Sequence, residues 1–308
     1  MILASGSRYL VGLIGSGITT SLSPALHEEE ADRLGLRYLY QPIDLAELQL
    51  GGEAVRDLLV HAPLLGYRGL NITHPYKQLV LNHVDELSPE AAAVGAVNTV
   101  VFEGGKTTGH NTDAFGFEQN FVRGLFGAAT DRIVLLGAGG AGSAVAYALL
   151  RLGAARIVVV DPASERADRL AATLQNRFGR DRVTAACPSD LPGQLHGADG
   201  LVNASPMGMA SNPASPASTD LLRDSLWVAE IVYRPLETEL LRAARQRGCR
   251  TLDGGGMAVF QAAGAFELFT GQKPDAERML EHFASLVAAE VIAGDGWGLP
   301  GQGRHRPL

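Results

Sequence analysis

Asn71-Ile72-Thr73-His74-Pro75-Tyr76-Lys77 packs five polar side chains into seven residues, and one of them, Lys77, can exchange a proton. Leu70 and Ile72 alternate with Asn71 and Thr73, so residues 69–73 read as a strand ending in a turn, with Asn71 and Thr73 free to face a ligand. Pro75 fixes its own φ and turns His74 away from helix, and apolar spacing over 77–83 predicts a short helix. Lys77 then falls in the first turn after a strand end, where α/β proteins keep their ligands. A cation at a helix N-terminus is held less favourably than at a C-terminus, which favours proton exchange. On residue type alone, Lys77 is equally a solvated surface lysine.

Asp113 follows Gly109-His110-Asn111-Thr112, beyond a strand end and ahead of a helical stretch. Beside Lys77 its carboxylate would hold the amine and help it exchange a proton with a substrate hydroxyl; otherwise it caps the helix.

A second constellation is Gly137-Ala138-Gly139-Gly140-Ala141-Gly142, with the apolar run 132–136 before it and the Ala-rich stretch 141–152 after it. Without side chains the turn tightens and backbone N–H groups approach a pyrophosphate at a helix N-terminus, so these six residues are assigned to a dinucleotide. Asp161 ends the next strand, 156–160. A carboxylate there accepts from ribose hydroxyls and repels a 2′-phosphate, which favours NAD over NADP; an N-cap is the plainer role. Arg166 is the first base beyond it, able to stack on adenine or to tolerate a phosphate.

The elements that must hold these residues are legible around them. A length of 308 residues exceeds one ordinary core, so two domains are expected. Residues 9–14 are an apolar strand. Ser23 and Pro24 then open a helix as N-cap and first helical residue. Residues 38–43 form an edge strand, since Pro42 interrupts the ladder. Helix is expected over 46–59 and 89–94, strand over 96–102, and a hairpin turn at Gly104-Gly105. That order predicts a mostly parallel sheet with one antiparallel element. From residue 115 onward, continuous apolar strands at 132–136, 156–160, 182–185, 200–203, 227–232 and 250–252 alternate with helices, which implies a parallel sheet covered on both faces. Helices over 258–269 and 275–293 have no strand after them and are free to pack back on the first domain.

A net charge of −7 with no Lys/Arg run argues against nucleic acid. No apolar run spans a membrane, and the first eight residues lack a signal-peptide core. Cys187 and Cys249 are far apart, which fits a reducing, cytoplasmic home. The eight His lack ligand spacing, so no metal is expected. Residues 294–308, rich in Gly and Pro, read as a tail.

Taken together, these motifs resemble the shikimate dehydrogenase family. The matching pieces are Ser21-Leu22-Ser23-Pro24, Gly69 to Lys77, Gly95-Ala96-Val97-Asn98-Thr99, Gly109 to Asp113, the loop 137–142, Asn203-Ala204-Ser205-Pro206-Met207, Val232-Tyr233 and Asp253 to Met257 with Gln261. The resemblance implies a split α/β substrate domain (9–114 and 255–293) with an inserted Rossmann NAD-binding domain (115–254) and a cleft between them. It implies reversible nicotinamide-linked oxidation of the C3 hydroxyl of shikimate to 3-dehydroshikimate. Lys77 would be the acid–base and Asp113 its partner. Ser21 and Ser23, with Tyr233, would hold the substrate carboxylate; Thr73, Asn98, Asp113 and Gln261 would hold ring hydroxyls. Ala204, Ser205, Ile231, Gly254 and Met257 match positions around the nicotinamide. The small-molecule partner is of the shikimate/quinate class, and the assembly a monomer or homodimer.

The departures point one way. Many members carry Pro and His where Gly17 and Thr20 stand, Val and Phe where His74 and Tyr76 stand, and, when NADP-dependent, Asn-Arg-Thr in place of Asp161-Pro162-Ala163. All three changes resemble the NAD-preferring quinate/shikimate branch, although Ser23 is Thr in some of that branch. His74 offers a second base, but the Lys/Asp pair already supplies that function, so a loop-anchoring role is expected. A related acid such as quinate or an aminoshikimate is an alternative substrate. A non-catalytic ligand sensor would be expected to have lost the lysine or the dinucleotide loop.

Overall fold

The computed structural model describes residues 8–292; the expected tail lies outside them. Strand β1 (Arg8–Gly15) leads to α1 (Ser23–Arg33), β2 (Arg37–Asp44), α2 (Ala54–His61), β3 (Tyr67–Ile72), the short β4 (Glu86–Leu87), α3 (Pro89–Val94), β5 (Thr99–Glu103) and β6 (Lys106–His110). Their sheet has the order β2-β1-β3-β5-β6-β4. Only β5 runs against its neighbours, joined to β6 through Gly104 and Gly105. β2 lies at the edge, where Pro42 removes a donor at no cost to a ladder.

Helix α4 (Asp113–Gly124) connects to β7 (Arg132–Leu136), α5 (Gly140–Arg151), β8 (Arg156–Val160), α6 (Ser164–Phe178), β9 (Val183–Ala186), α7 (Leu191–Leu195), β10 (Gly200–Asn203), β11 (Trp227–Glu230), α8 (Glu239–Gln246) and β12 (Arg250–Leu252). The second sheet, β12-β11-β10-β7-β8-β9, is parallel throughout. Side chains alternate across a strand, so Ile133, Leu135, Ile157 and Val159 enter one core while Val134, Leu136, Val158 and Val160 enter the other. This two-faced burial is why the strands are apolar without a break. The last helices, α9 (Gly255–Thr270) and α10 (Ala276–Ile292), return to the first half: α9 packs along α4 and α1, and its Phe269 joins Val11, Leu13 and Val101 beneath the first sheet.

Local expectations fail where a side chain binds backbone. Residues 46–53 are turns, and helix begins only at Ala54. The buried Asp44 carboxylate accepts from Gly17, Ile18 and Ala46 N–H, holding the chain in a loop that Gly51 and Gly52 prolong. Ser23 is the first residue of α1 rather than its cap; its N–H donates to Ser21 Oγ at 3.2 Å. Residues 77–83 are not one helix either: a 3₁₀ helix spans Leu79–His83 only, so Lys77 lies in a turn ahead of it rather than in the first turn of an α-helix. α3 forms as expected, with the Ser88 hydroxyl accepting from Ala91 N–H, Pro89 first and Gly95 at φ 68° closing it.

Candidate active site

β3 delivers Thr73 and the turn carrying Lys77, and the first turn of α4 delivers Asp113. Lys77 Nζ donates to Asp113 Oδ2 at 2.6 Å, with the two side chains 17 % and 5 % exposed. Asp113 therefore serves as a partner, not as a cap; Asn111 Oδ1 takes the capping role, accepting from Ala114 N–H. Asn98 Nδ2 donates to the second Asp113 oxygen at 3.0 Å, to Thr112 Oγ1 at 2.8 Å and to Gln261 Oε1 at 3.4 Å. Asp113, Asn98 and Gln261 thus meet beside Lys77, with Thr73 partly exposed nearby in sequence.

Ser21 and Ser23 lie 3.2 Å apart, and Ser21 also hydrogen-bonds Tyr233. Burial raises the Tyr233 phenol above its ordinary range, and the Ser21 bond opposes that rise. Arg234 beside it reaches the Thr20 carbonyl and, at 2.9 Å, Glu290, tying the loop after β11 to the serine loop and α10.

Asn71 does not face a ligand as its position suggests. It is buried, and both ends of its amide are taken by protein. Tyr76 is a core residue packed with Leu45, Val55 and Val80. His74 is exposed, and its carbonyl accepts Ser16 N–H at 3.1 Å, anchoring the loop after β1. Partial desolvation of its ring, then the Lys77 charge, lowers the His74 pKa.

The glycine loop opens α5, and its residues serve different ends. A Cβ on Gly142 would meet Gly137 O at 2.1 Å, so the turn closes only without one. A Cβ on Gly139 meets nothing within 4 Å, leaving open space at the N-terminus of α5, as an approaching pyrophosphate requires. A Cβ on Gly140 would lie 3.0 Å from Lys77 Cβ, so the dinucleotide loop touches the stem of the lysine. Asp161 ends β8; its carboxylate accepts from Ala138 N–H at 2.9 Å and Ala163 N–H at 2.8 Å, with Arg166 Nε at 4.0 Å. Beside it a cavity of about 220 Å³ is lined by Gln78, Gly95, Ser143, Arg166, Arg169 and Thr173, among others. Ala204 and Ser205 follow β10, where Asn203 Oδ1 accepts from Ser205 N–H and Oγ. Gly254 leaves no room for a Cβ against Ile231 O at 2.4 Å, and Met257 is buried at the start of α9. Among the described residues no three His, Cys, Asp or Glu gather as a metal site, and no helix is long and apolar enough to cross a membrane.

Comparison with known proteins identifies the family. Residues 13–100 match the shikimate dehydrogenase substrate binding domain and 254–282 the shikimate 5'-dehydrogenase C-terminal domain. Residues 133–215 match a saccharopine dehydrogenase NADP binding domain. A Streptomyces avermitilis protein named shikimate dehydrogenase (NADP(+)) is 60 % identical over 92 % of this chain and 98 % of its own. The chain belongs to the shikimate dehydrogenase family. A Corynebacterium glutamicum quinate/shikimate dehydrogenase (NAD(+)) is 47 % identical over 90 % of this chain and 98 % of its own. The structure of quinate dehydrogenase from Corynebacterium glutamicum in complex with NAD superposes with a TM-score of 0.84 at 46 % identity, covering 90 % of this chain and 99 % of that one.

Sequence reasoning missed Arg169, Thr173 and Gln78 at the cavity. The two on α6 could have been found: 166, 169 and 173 recur at helical spacing and so share a face with Arg166. It also missed Arg234 and the residues beneath Asn98, for which no local pattern exists.

Proposed function

We propose that this member of the family is a nicotinamide-dependent oxidoreductase that interconverts shikimate and 3-dehydroshikimate at C3, accepts quinate by the same chemistry, and prefers NAD. The observation that carries the reading is the largely buried Lys77, bonded to buried Asp113 and touching the dinucleotide loop at Gly140. When bound, the nicotinamide supplies the hydride acceptor. Lys77 takes the hydroxyl proton in oxidation and returns it in reduction, and Asp113 orients the amine. Thr73, Asn98, Asp113 and Gln261 hold ring hydroxyls, while Ser21, Ser23 and Tyr233 hold the carboxylate, since a small polyol acid needs many short donors and little apolar wall. Ala204, Ser205, Ile231, Gly254 and Met257 line the ring of the cofactor. The catalytic half comprises 9–114 and the helices from 255; 115–254 bind the dinucleotide. Two unpaired cysteines fit a reducing cytoplasm.

The cofactor choice rests on a comparison of charges. Asp161 is 6 % exposed, whereas the Arg166 and Arg169 side chains are 56 % and 69 % exposed. Like unit charges about 4 Å apart repel by about 4 kcal/mol at an effective dielectric of about 20. A 2′-phosphate would meet the buried, weakly screened carboxylate at fuller strength than it would be attracted by the screened guanidinia. The arginine-lined cavity supports NADP as the second reading. Initial rates with shikimate and quinate, each against NAD and NADP, test both. No reduced nicotinamide from any of the four pairs overturns the activity; a preference for NADP overturns the Asp161 reading and leaves Lys77 standing.

A further inference from the structure

We propose that Tyr40 and Thr99 are positioning residues that hold Asp113 against Lys77 through a hydrogen-bonded chain with a single proton order. The proposal rests on Lys77 and Asp113 being the acid–base pair. Two backbone groups fix the order. Asn98 O can only accept, so the Asn71 atom 3.2 Å from it is the amide nitrogen. Thr112 N–H can only donate, so the Asn98 atom 2.8 Å from it is the carbonyl oxygen. Asn71 Oδ1 is thereby an acceptor, and the Tyr40 hydroxyl donates to it at 2.8 Å. Asn71 Nδ2 donates to Thr99 Oγ1 at 2.9 Å, across the β3–β5 ladder where the two residues are paired. The Thr99 proton is left for Asn98 Oδ1 at 3.0 Å, and Asn98 Nδ2 passes the order on to Asp113 Oδ1 at 3.0 Å.

Every donor along the chain points towards the carboxylate. Thr99 is 0 %, Asn98 2 %, Tyr40 3 % and Asn71 6 % exposed, so water does not replace a lost partner. Beyond Tyr40 the chain reaches Ser23, which hydrogen-bonds its hydroxyl. The buried strands of the first sheet therefore join the paired serines to the acid–base pair by one continuous route.

Thr99→Val keeps the shape and removes the link. Its kcat falls about tenfold, the scale of one buried hydrogen bond, while KM for the acid stays within about twofold. Thr99→Ser restores kcat. Tyr40→Phe opens the same chain, so the double variant turns over no more slowly than the slower single one. A substrate-free measurement reads the chain directly: NMR exchange of the Asn98 side-chain amide protons speeds up in Thr99→Val and also in Tyr40→Phe, three hydrogen bonds away. Where Thr99→Val does not fold, Tyr40→Phe carries the same test. Additive losses, a raised KM with intact kcat in Thr99→Val, or unchanged Asn98 exchange in Tyr40→Phe overturns the proposal. A wild-type protein inert towards both acids refutes the proposed activity alone, and the exchange measurement still decides the chain.

Discussion

Adding one methyl at Gly140 separates two roles within a single glycine loop. Its Cβ would lie 3.0 Å from Lys77 Cβ, 3.4 Å from Ala96 Cβ and 3.5 Å from Lys77 Cδ. Carbon atoms rest comfortably at about 3.5–4.0 Å, so something must give by roughly 0.5 Å. Both of the nearest atoms are Cβ atoms fixed to their backbones; Ala96 is fully buried, whereas Lys77 lies in a turn, so the turn yields and carries the amine with it. The backbone imposes no strain, because Gly140 begins α5 and has no positive φ. A misplacement of about 1 Å at a reacting group costs about 10²-fold, so half of that predicts a loss of about tenfold in kcat, or about 1.4 kcal/mol. Gly139→Ala gives the opposite signature. Its methyl touches no protein atom within 4 Å but enters the space above the helix N-terminus, so it raises KM for the dinucleotide about tenfold and leaves kcat nearly unchanged. Initial rates followed by nicotinamide absorbance, varying each substrate at saturation of the other, resolve the two. Thermal melts confirm that both variants fold. If Gly140→Ala raises the cofactor KM with kcat intact, the loop does not meet the lysine in the working enzyme and the reasoning fails.

Three further outcomes are expected. Lys77→Ala lowers turnover about 10²–10⁴-fold with dinucleotide affinity retained, as fluorescence titration will show; near-normal turnover refutes the acid–base assignment. Asp161→Asn moves the NADP-to-NAD ratio of kcat/KM upward by about tenfold or more, since it removes the charge facing a 2′-phosphate while Arg166 and Arg169 remain; an unchanged ratio places discrimination elsewhere. Burial pushes the Glu230 carboxyl up to about 7, against hydrogen bonds from Asn203, Val232 and Thr238 that pull it down. The folded state therefore keeps a proton that the unfolded chain releases near 4.5, and stability is greatest below that pH and falls as pH rises towards 7. That rise in pKa sets an upper limit of roughly 3 kcal/mol on the fall. Urea titrations from pH 5 to 8 should show the slope flattened in Glu230→Gln; a slope that persists assigns it to another group.

The second sheet was almost wholly legible because its strands are buried on both faces and carry an unbroken apolar signal. Its glycine loop and Asp161 follow from local spacing in the same way. The first sheet was legible in its longer strands and its single antiparallel element, but not in the short β4, in the order of its strands or in its connections. Asp44 shows why: one carboxylate gathers three N–H groups from two loops, and no periodicity in 46–53 reports that competition. Lys77 and Asp113 could be paired only by reading two motifs as one site. Asn71 misled because polar alternation on a strand marks a ligand face and a hydrogen-bonded interior equally well. The route from Tyr40 through Asn71 to Thr99 gave no signal, since its two hydrogen bonds span 31 and 28 residues of the chain.

The burial of so many polar groups under one half of the molecule has a physical rationale. Asn71, Asn98, Thr99, Asn111, Thr112 and Asp113 are all at most 7 % exposed, and each is hydrogen-bonded within the protein. An apolar interior of the same shape would be at least as stable, because a buried hydrogen bond contributes only about 1 kcal/mol net. Orientation is what the polar interior supplies. A cyclohexene acid offers little apolar surface, so its affinity cannot offset the entropy of ordering loose side chains around it. Its discrimination depends on donors and acceptors already fixed where each hydroxyl will sit, which leaves a wrong isomer facing unpaired groups. The glycine loop brings the second half against this rigid floor at Lys77 and Ala96. A substitution at that seam should therefore act on turnover before it acts on folding.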